Sequence, residues 1–206
     1  MNSTAEKLEE FFRKFPGIGS RQAKRFVYFL LTQRNGFTQE LTGLLTALKK
    51  DISQCSECFR FFGSENGAKI CPTCGSKTSD VGILLVVEKD IDFETVQKSA
   101  TYSGHYFILG GLIPILEKEP ANKIRIKELV ERIKRDGEKG ILKEIILALS
   151  VNAEGENTAG YVRKTLEPLA IKYGFKTTAL GRGFSTGLEL EYSDADTLGN
   201  ALKNRQ

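Results

Sequence analysis

Long apolar runs are missing from this chain of 206 residues, and histidine is nearly absent. No apolar stretch approaches the roughly 20 residues that a membrane-spanning helix needs. Residues 1–10 are polar, which argues against a secretory signal peptide, so we expect a soluble, cytoplasmic protein. The single histidine, His105, has no matching nucleophile or base, so we expect it to have a surface or structural role. With 40% hydrophobic residues, the chain can form one sizeable core and an accessory module.

Cysteine is also scarce, and all four cysteines lie within twenty consecutive positions, as the pairs Cys55/Cys58 and Cys71/Cys74. A spacing of two intervening residues lets one tight turn direct two sulfurs at a tetrahedral Zn²⁺ ion. Disulfide or redox use is the alternative, but disulfides need an oxidising compartment and a redox Cys-x-x-Cys pair does not need a second copy. We therefore predict a small module with a structural zinc, whose four thiolates leave no open position for catalysis.

Acidic residues are absent from Phe11 to Gln39, where six basic residues occur. Apolar periodicity predicts two helices, one on each side of a turn at Phe15–Ser20. Pro16 ends the first helix, and Gly17 and Gly19 allow a tight hairpin. Ser20 is the expected N-cap of the second helix. Basic residues in that helix's first turn oppose the helix dipole, and a bound phosphate would offset this cost. A third helix is predicted from Thr38 to Lys50, with Thr38 as its cap.

The sequence Pro-Gly-Ile-Gly followed by a basic helix resembles the helix-hairpin-helix motif, in which the amides of the hairpin hold a DNA phosphate without reading the base sequence. The alternative is an ordinary helical packing unit with a solvated basic face. The resemblance implies DNA contacts from the hairpin glycines and the basic residues around them. These residues are Arg13, Lys14, Gly17, Gly19, Arg21, Lys24 and Arg25.

After residue 78 the sequence alternates between short aliphatic runs and helical patterns. Val81–Val87 is continuously aliphatic, which is typical of a parallel strand buried on both faces. This alternation predicts an α/β domain with a parallel sheet, whose ligands would bind beyond the carboxyl ends of the strands. The remaining predicted strands are His105–Leu109, Glu144–Leu149 and Phe175–Leu180, and the predicted helices are Asp92–Ala100, Ile124–Asp136 and Glu156–Tyr173.

Glu88 ends the first of these strands, and Glu154-Gly-Glu156 opens a helix after a later strand, which resembles the Toprim domain of topoisomerases and primases. In catalytic Toprim domains the first glutamate and an Asp-x-Asp pair hold Mg²⁺. Ser150 and Asn152 stand at the two aspartate positions here, which removes two of the charged oxygen ligands that Mg²⁺ prefers. We interpret the domain as a binding Toprim. The alternative is a Mg²⁺-dependent Toprim nuclease that uses Glu88 and Glu154.

The chain ends with a predicted strand, Gly187–Tyr192, and a predicted short helix, Asp196–Leu202. A helix-hairpin-helix, a four-cysteine zinc module, a Toprim domain and this tail occur in the same order in the RecR family of bacterial recombination mediators, which the whole chain resembles. We therefore predict an α/β protein with four parts: a helical domain over residues 1–52, a four-cysteine zinc module over 53–78, a parallel-sheet Toprim domain over 79–180 and a strand–helix tail over 181–206.

The resemblance implies a non-enzymatic role in recombinational DNA repair. Members of this family form ring-shaped homo-oligomers, here expected to be tetramers, that can encircle DNA. With RecO, and in many bacteria RecF, they help RecA load on single-stranded or gapped DNA. Carried over to this sequence, Glu88 and Glu154 would lie on the surface that contacts partner proteins. The loop Ile113–Pro120 departs from the family's Ser-Pro-Leu-Asp-Gly-Ile-Gly-Pro, so its contacts are expected to differ.

Overall fold

The computed structural model describes residues 3–64, 67–76, 79–181, 183, 187 and 189–203. The chain separates into two compact units, which consist of residues 1–52 and 53–206. No helix among the described residues is long and apolar enough to cross a membrane.

The first unit contains three described helices, α1 (Thr4–Phe12), α2 (Ser20–Thr32) and α3 (Asn35–Asp51). A capping box between Ser3 and Glu6 starts α1. The rings of Phe12 and Phe26 pack edge to face with their centroids 5.5 Å apart, which joins α1 to α2. The structure therefore contains the predicted helical hairpin.

Two predicted helix starts in this unit are wrong. The N-cap of α2 is Gly19 and not Ser20, because Gly19 is extended (φ −83°, ψ 173°) and Ser20 already belongs to the helix. The third helix begins at Asn35 and not after Thr38, because the chain is extended only up to its N-cap, Arg34. Residues of low helix propensity are tolerated in the first turn, where the backbone amides have no partner within the helix.

The second unit begins with the cysteine-bearing segment. Strands β1 (Ile52–Gln54) and β2 (Phe61–Gly63) form a two-stranded sheet, and a short helix, α4 (Pro72–Gly75), follows. Pro72 occupies the first turn of α4, where its missing amide hydrogen costs nothing.

The rest of this unit is built on a four-stranded parallel sheet with strand order β4–β3–β5–β6. Alternation along β3 sends Leu84 and Val86 to one face and Leu85 and Val87 to the other, and all four side chains are buried. The predicted parallel sheet is thereby confirmed. Its strands are β3 (Asp80–Val87), β4 (Gly104–Ile108), β5 (Glu144–Ala148) and β6 (Lys176–Ala179), and its helices are α5 (Asp90–Ser99), α6 (Ile126–Glu138) and α7 (Ala153–Tyr173).

The predicted C-terminal strand Gly187–Tyr192 is wrong for the residues that the structure describes. Leu190–Tyr192 forms a 3-10 turn, and Leu188 lies outside the described residues. Leu190 and Tyr192 are 67% and 73% exposed, so alternating apolar residues here do not cover a core. The predicted final helix is present as α8 (Ala195–Lys203).

The start of α7 lies very close to the end of β5. A Cβ atom added to Gly155 would lie 1.8 Å from the backbone oxygen of Ser150, whereas one added to Gly160 on the same helix would meet nothing within 4 Å. Only glycine fits at position 155, which explains the glycine between the two glutamates of the Toprim-like motif.

We predict that Gly155→Ala lowers the free energy of unfolding by about 3 kcal/mol, because the backbone must move to admit the methyl group. Gly160→Ala is the matched control and should raise the stability by about 0.5–1 kcal/mol, because alanine favours the helix. Urea unfolding followed by circular dichroism measures both changes. Equal stabilities of the two variants would contradict the close contact between helix and strand.

Candidate metal centre and nucleic-acid interface

The four cysteines of the second unit converge on one point. Their sulfur atoms lie within 4.8 Å of one another, and the sulfurs of Cys58 and Cys71 are 3.7 Å apart. A tetrahedral zinc with Zn–S bonds of about 2.3 Å has sulfur–sulfur edges of about 3.8 Å, whereas a disulfide bond is about 2.05 Å long. Cys55, Cys58 and Cys71 are buried, and all four are free thiols. The cluster therefore has the geometry to hold a metal ion.

Local backbone structure positions these sulfurs. The turn that carries Cys55 and Cys58, here called the first cysteine turn, is closed by two backbone hydrogen bonds. The Phe59 amide donates to the Cys55 carbonyl, and the Cys55 amide donates to the Arg60 carbonyl. Phe59 adopts a positive φ of 63°. The amide of Cys71 donates a hydrogen bond of 3.3 Å to the Cys55 sulfur. A thiolate is the form in which cysteine binds a metal.

The seven predicted DNA-contacting residues all lie in the first unit, on the end of α1, the turn and the start of α2. Gly17 has a positive φ of 76°, as the tight hairpin requires. The basic side chains are exposed. Lys24 and Arg25 follow Arg21 by three and four residues, which places both beside it on one side of α2. Because Gly19 has no side chain and the first turn has no acidic residue, the amides at this helix start have no capping side chain. This arrangement suits a phosphate.

Glu88, at the carboxyl end of β3, is only 5% exposed. Its two carboxylate oxygens accept hydrogen bonds from the Ser150 hydroxyl at 2.7 Å and from the Lys89 ammonium at 2.5 Å. Burial alone would raise the pKa of Glu88, but the contacts with Lys89 and Ser150 outweigh it and lower the pKa. The carboxylate is therefore ionised and already paired, and a cation at this position would compete with Lys89.

The residue at the second aspartate position also has a structural role. The side-chain oxygen of Asn152 accepts a hydrogen bond of 2.7 Å from the Gly155 amide, which caps α7. Glu154 is exposed in the first turn of α7. Among the described residues, the four cysteines are the one group of three or more potential metal ligands whose ligand atoms lie within 4.8 Å of one another. Glu88 and Glu154 are thus not brought together with a third acidic residue as a metal site.

Beside this rim, a cleft of about 620 Å³ lies between the loop that precedes α7 and the helix α8. Asn152 and Glu156 contribute one wall, and Asp194 and Thr197 contribute the other. The sequence predicted that Glu88 and the segment Glu154–Glu156 would follow strands, but it contained no signal that α8 would line a cleft beside them.

The divergent loop Ile113–Pro120 is fastened to α7 by two residues that the sequence did not single out. The Thr158 hydroxyl accepts a hydrogen bond of 2.8 Å from the Ile113 amide, and the Asn157 side chain donates one of 3.1 Å to the Ile113 carbonyl. Leu116, further along the loop, is 92% exposed. The sign that the sequence offered was a threonine in line with Val162 and Leu166, four and eight residues further along α7, which are buried with it.

Comparison with known proteins decides the family. A family model described as the Toprim domain matches residues 82–179. The recombination protein RecR of Chlorobium phaeobacteroides is 37% identical over 205 residues, which cover 98% of this chain and 97% of that protein. The RecR of Chlorobaculum parvum is 34% identical, covering 99% and 97%, and that of Dehalococcoides mccartyi is 36% identical, covering 97% and 92%.

The chain belongs to the RecR family. This confirms the family predicted from the order of the motifs. Together with the parallel sheet and the cysteine cluster, the match also confirms the predicted α/β fold with a Toprim domain. The individual DNA and partner contacts of this RecR-family member remain predictions.

We predict that the purified chain contains one zinc ion per molecule and that Cys74→Ser lowers this content severalfold, because three thiolates hold the metal less tightly than four. Elemental analysis by mass spectrometry measures the metal. Ser76→Ala, two residues away and outside the cluster, is the control and should retain the zinc. A wild-type chain that binds no metal when refolded with excess Zn²⁺ would contradict this assignment.

Proposed function

We propose that this RecR-family chain is a non-enzymatic DNA-binding mediator of recombinational DNA repair. It would act as a ring-shaped clamp with RecO-like and RecF-like partners to promote RecA loading on gapped or single-stranded DNA. The observation that supports this most strongly is similarity over nearly the full length to proteins named recombination protein RecR. Each of the four predicted parts would contribute separately to this function. They cover residues 1–52, 53–78, 79–180 and 181–206.

DNA binding is assigned to the helical hairpin of the first unit. Arg21, Lys24 and Arg25 are exposed on α2 beside the uncapped helix start, so they would add positive charge around a phosphate held by the backbone amides. Arg13 and Lys14 are exposed in the turn after α1. Contacts of this kind follow the DNA backbone and carry no sequence preference.

The absence of catalysis is inferred from the rim of the Toprim sheet. A metal-dependent nuclease needs carboxylates that are free to bind Mg²⁺. Here Lys89 and Ser150 occupy both oxygens of Glu88, and Asn152 caps α7. We therefore prefer a binding role to the alternative nuclease. The sequence assigned partner contact to Glu88 and Glu154, but Glu88 is only 5% exposed and is not itself on the surface. We propose instead that a partner protein contacts the exposed Glu154 and the 62% exposed Lys89 side chain, which Glu88 holds in place.

A homo-oligomer is supported by the apolar surface of the first unit. Leu44, Leu45 and Leu48 on α3 are 63%, 60% and 57% exposed, and Leu31 on α2 is 70% exposed. Of the described residues in α1 and α2, Ala23 and Val27 are the buried ones. A leucine stripe of this kind needs a partner surface, and we propose that a second copy of the chain covers it.

We predict that replacing Arg21, Lys24 and Arg25 together by glutamine weakens binding to gapped DNA at least tenfold. The slope of log affinity against log salt should fall in magnitude by about 2, because three phosphate contacts are lost. Fluorescence anisotropy at several salt concentrations measures both quantities. The control replaces three exposed basic residues of the second unit, Lys134, Arg163 and Lys164, in the same way and should change the affinity much less.

Two results would contradict the proposed function. Unchanged affinity for gapped DNA after replacement of Arg21, Lys24 and Arg25 would show that α2 does not hold the DNA-binding site. Nicking of a gapped plasmid in Mg²⁺ or Mn²⁺ that a folded Glu88→Gln variant lacks would instead establish the nuclease, because the substitution removes a carboxylate that could bind the catalytic metal.

We predict that the wild-type chain has the native mass of a tetramer and that Leu44→Lys with Leu48→Lys shifts it toward smaller species, because burying two ammonium groups is unfavourable. Sedimentation equilibrium measures the mass. Ile171→Lys is the control, since Ile171 is 80% exposed on α7 of the second unit. A monomeric wild-type chain at micromolar concentration would contradict both the clamp and the assignment of the leucine stripe.

A further inference from the structure

Arg132 on α6 is a buried cation, with only 4% of its side chain exposed. One terminal nitrogen, Nη1, donates hydrogen bonds to the carbonyl oxygens of Tyr106 at 2.8 Å and Glu57 at 2.9 Å. The other, Nη2, lies 3.0 Å from Nδ1 of His105, and Nε lies 3.4 Å from the Asp136 carboxylate. One side chain thus joins a sheet strand, a helix and the cysteine-bearing segment, all within the second unit.

The histidine in this group has a structural role. Because an arginine side chain only donates hydrogen bonds, Nδ1 of His105 must accept the one from Arg132. Burial, and then the charge of Arg132, lower the pKa of His105, which keeps the ring neutral as this contact requires.

Arg132 contacts one edge of the sheet. Strand β4 is one of the two edge strands, since the strand order is β4–β3–β5–β6. On that edge the Ile108 amide donates a hydrogen bond of 2.8 Å to the Cys58 carbonyl, and the Tyr106 carbonyl accepts from Arg132. The first cysteine turn and the arginine therefore satisfy groups to which another strand could otherwise pair.

The Cys58 carbonyl accepts directly from this edge, and the neighbouring Glu57 carbonyl accepts from Arg132, which itself donates to the edge. Both carbonyls belong to the turn that carries two of the potential metal ligands. We propose that Arg132 makes the closure of the β4 edge depend on metal occupancy of the cysteine cluster. A bound metal holds the Cys55–Cys58 turn, and so directs the Glu57 carbonyl at Arg132. Without the metal, the turn can reorient and leave a buried guanidinium short of an acceptor, which is unfavourable.

The other contacts of this segment depend less on the direction of that turn. The Phe59 and Phe107 rings pack 5.4 Å apart, and the Arg60 guanidinium lies 4.4 Å from the Phe93 ring centroid. Arg135 pairs with the Glu57 carboxylate, but its side chain is 46% exposed and can follow a moving partner. Arg132 is different because it is a buried side chain that, like the Ile108 amide, bonds to the backbone of the Cys55–Cys58 turn itself.

The test measures hydrogen exchange of residues 104–109 in the full zinc-loaded chain, before and after removal of zinc by a strong chelator. We expect chelation to speed exchange of this segment about tenfold or more in the wild type. In Arg132→Met, exchange should already be faster with zinc bound, and chelation should add little. Because coupling is reciprocal, Arg132→Met should also weaken zinc binding by about tenfold in chelator competition.

Arg163→Met is the matched control, because Arg163 is an exposed arginine on α7 and should leave both measurements at the wild-type values. If Arg132→Met does not fold, Arg132→Lys should give an intermediate loss, since an ammonium group retains the charge without the planar fork. The proposal is overturned if chelation leaves exchange of residues 104–109 unchanged in the wild type. It is also overturned if a folded Arg132 variant binds zinc as tightly as the control does. Neither result bears on the proposed role on DNA.

Discussion

Hydrogen bonding between the first cysteine turn and the edge of the parallel sheet is the constraint on which the second unit depends. A parallel sheet with an open edge exposes backbone groups that must find partners, and β4 finds them in Cys58 and Arg132. The same turn carries Cys55 and Cys58 toward the other two sulfurs. The cysteine segment is therefore part of the sheet's own hydrogen-bonding arrangement, and its metal, when bound, would stabilise more than a local loop.

The carboxyl rim of the sheet shows how a Toprim framework can be kept while the charges that support catalysis are reduced. In place of carboxylates that could share a metal, one glutamate is paired with Lys89 and Ser150, and Asn152 caps a helix. Gly155 allows that helix to begin against the Ser150 carbonyl. The close approach of helix and strand thus persists although the Asp-x-Asp pair is absent, because it depends on backbone packing and helix capping. What the rim offers to another molecule is the exposed Lys89 and Glu154.

The two units differ in how much of their apolar surface is buried. In the second unit, apolar side chains are buried on both faces of the sheet, as the all-parallel topology requires. In the first unit, Leu44, Leu45 and Leu48 of α3 remain more than half exposed. If a second copy of the chain covers this surface, as proposed above, the stability of the predicted DNA-binding hairpin would depend on association.

Much of this protein could be predicted from local sequence patterns. The paired cysteines, the strand Val81–Val87, the helical hairpin around Pro16 and the order of the motifs are short-range features, so spacing and periodicity were sufficient to predict them. The predicted strand Gly187–Tyr192 failed because alternation does not form a strand where the residues cover no core. The start of α3 failed because a helix can begin with residues of low propensity in its first turn.

By itself, the sequence determined the elements, the metal-binding residue types and the family resemblance, because each depends on neighbours along the chain. Which polar groups form hydrogen bonds between distant parts of the chain could be seen only in the folded structure. The pairing of Glu88 with Ser150 joins residues 62 positions apart, and the bond from Arg132 to the Glu57 carbonyl spans 75 positions. The one local sign was an arginine on the apolar face of α6, between Leu129 and Ile133. The hydrogen-bond acceptors of Arg132 could not be predicted from the sequence, because folding brings the first cysteine turn to the sheet edge. Burial there excludes water as an alternative partner.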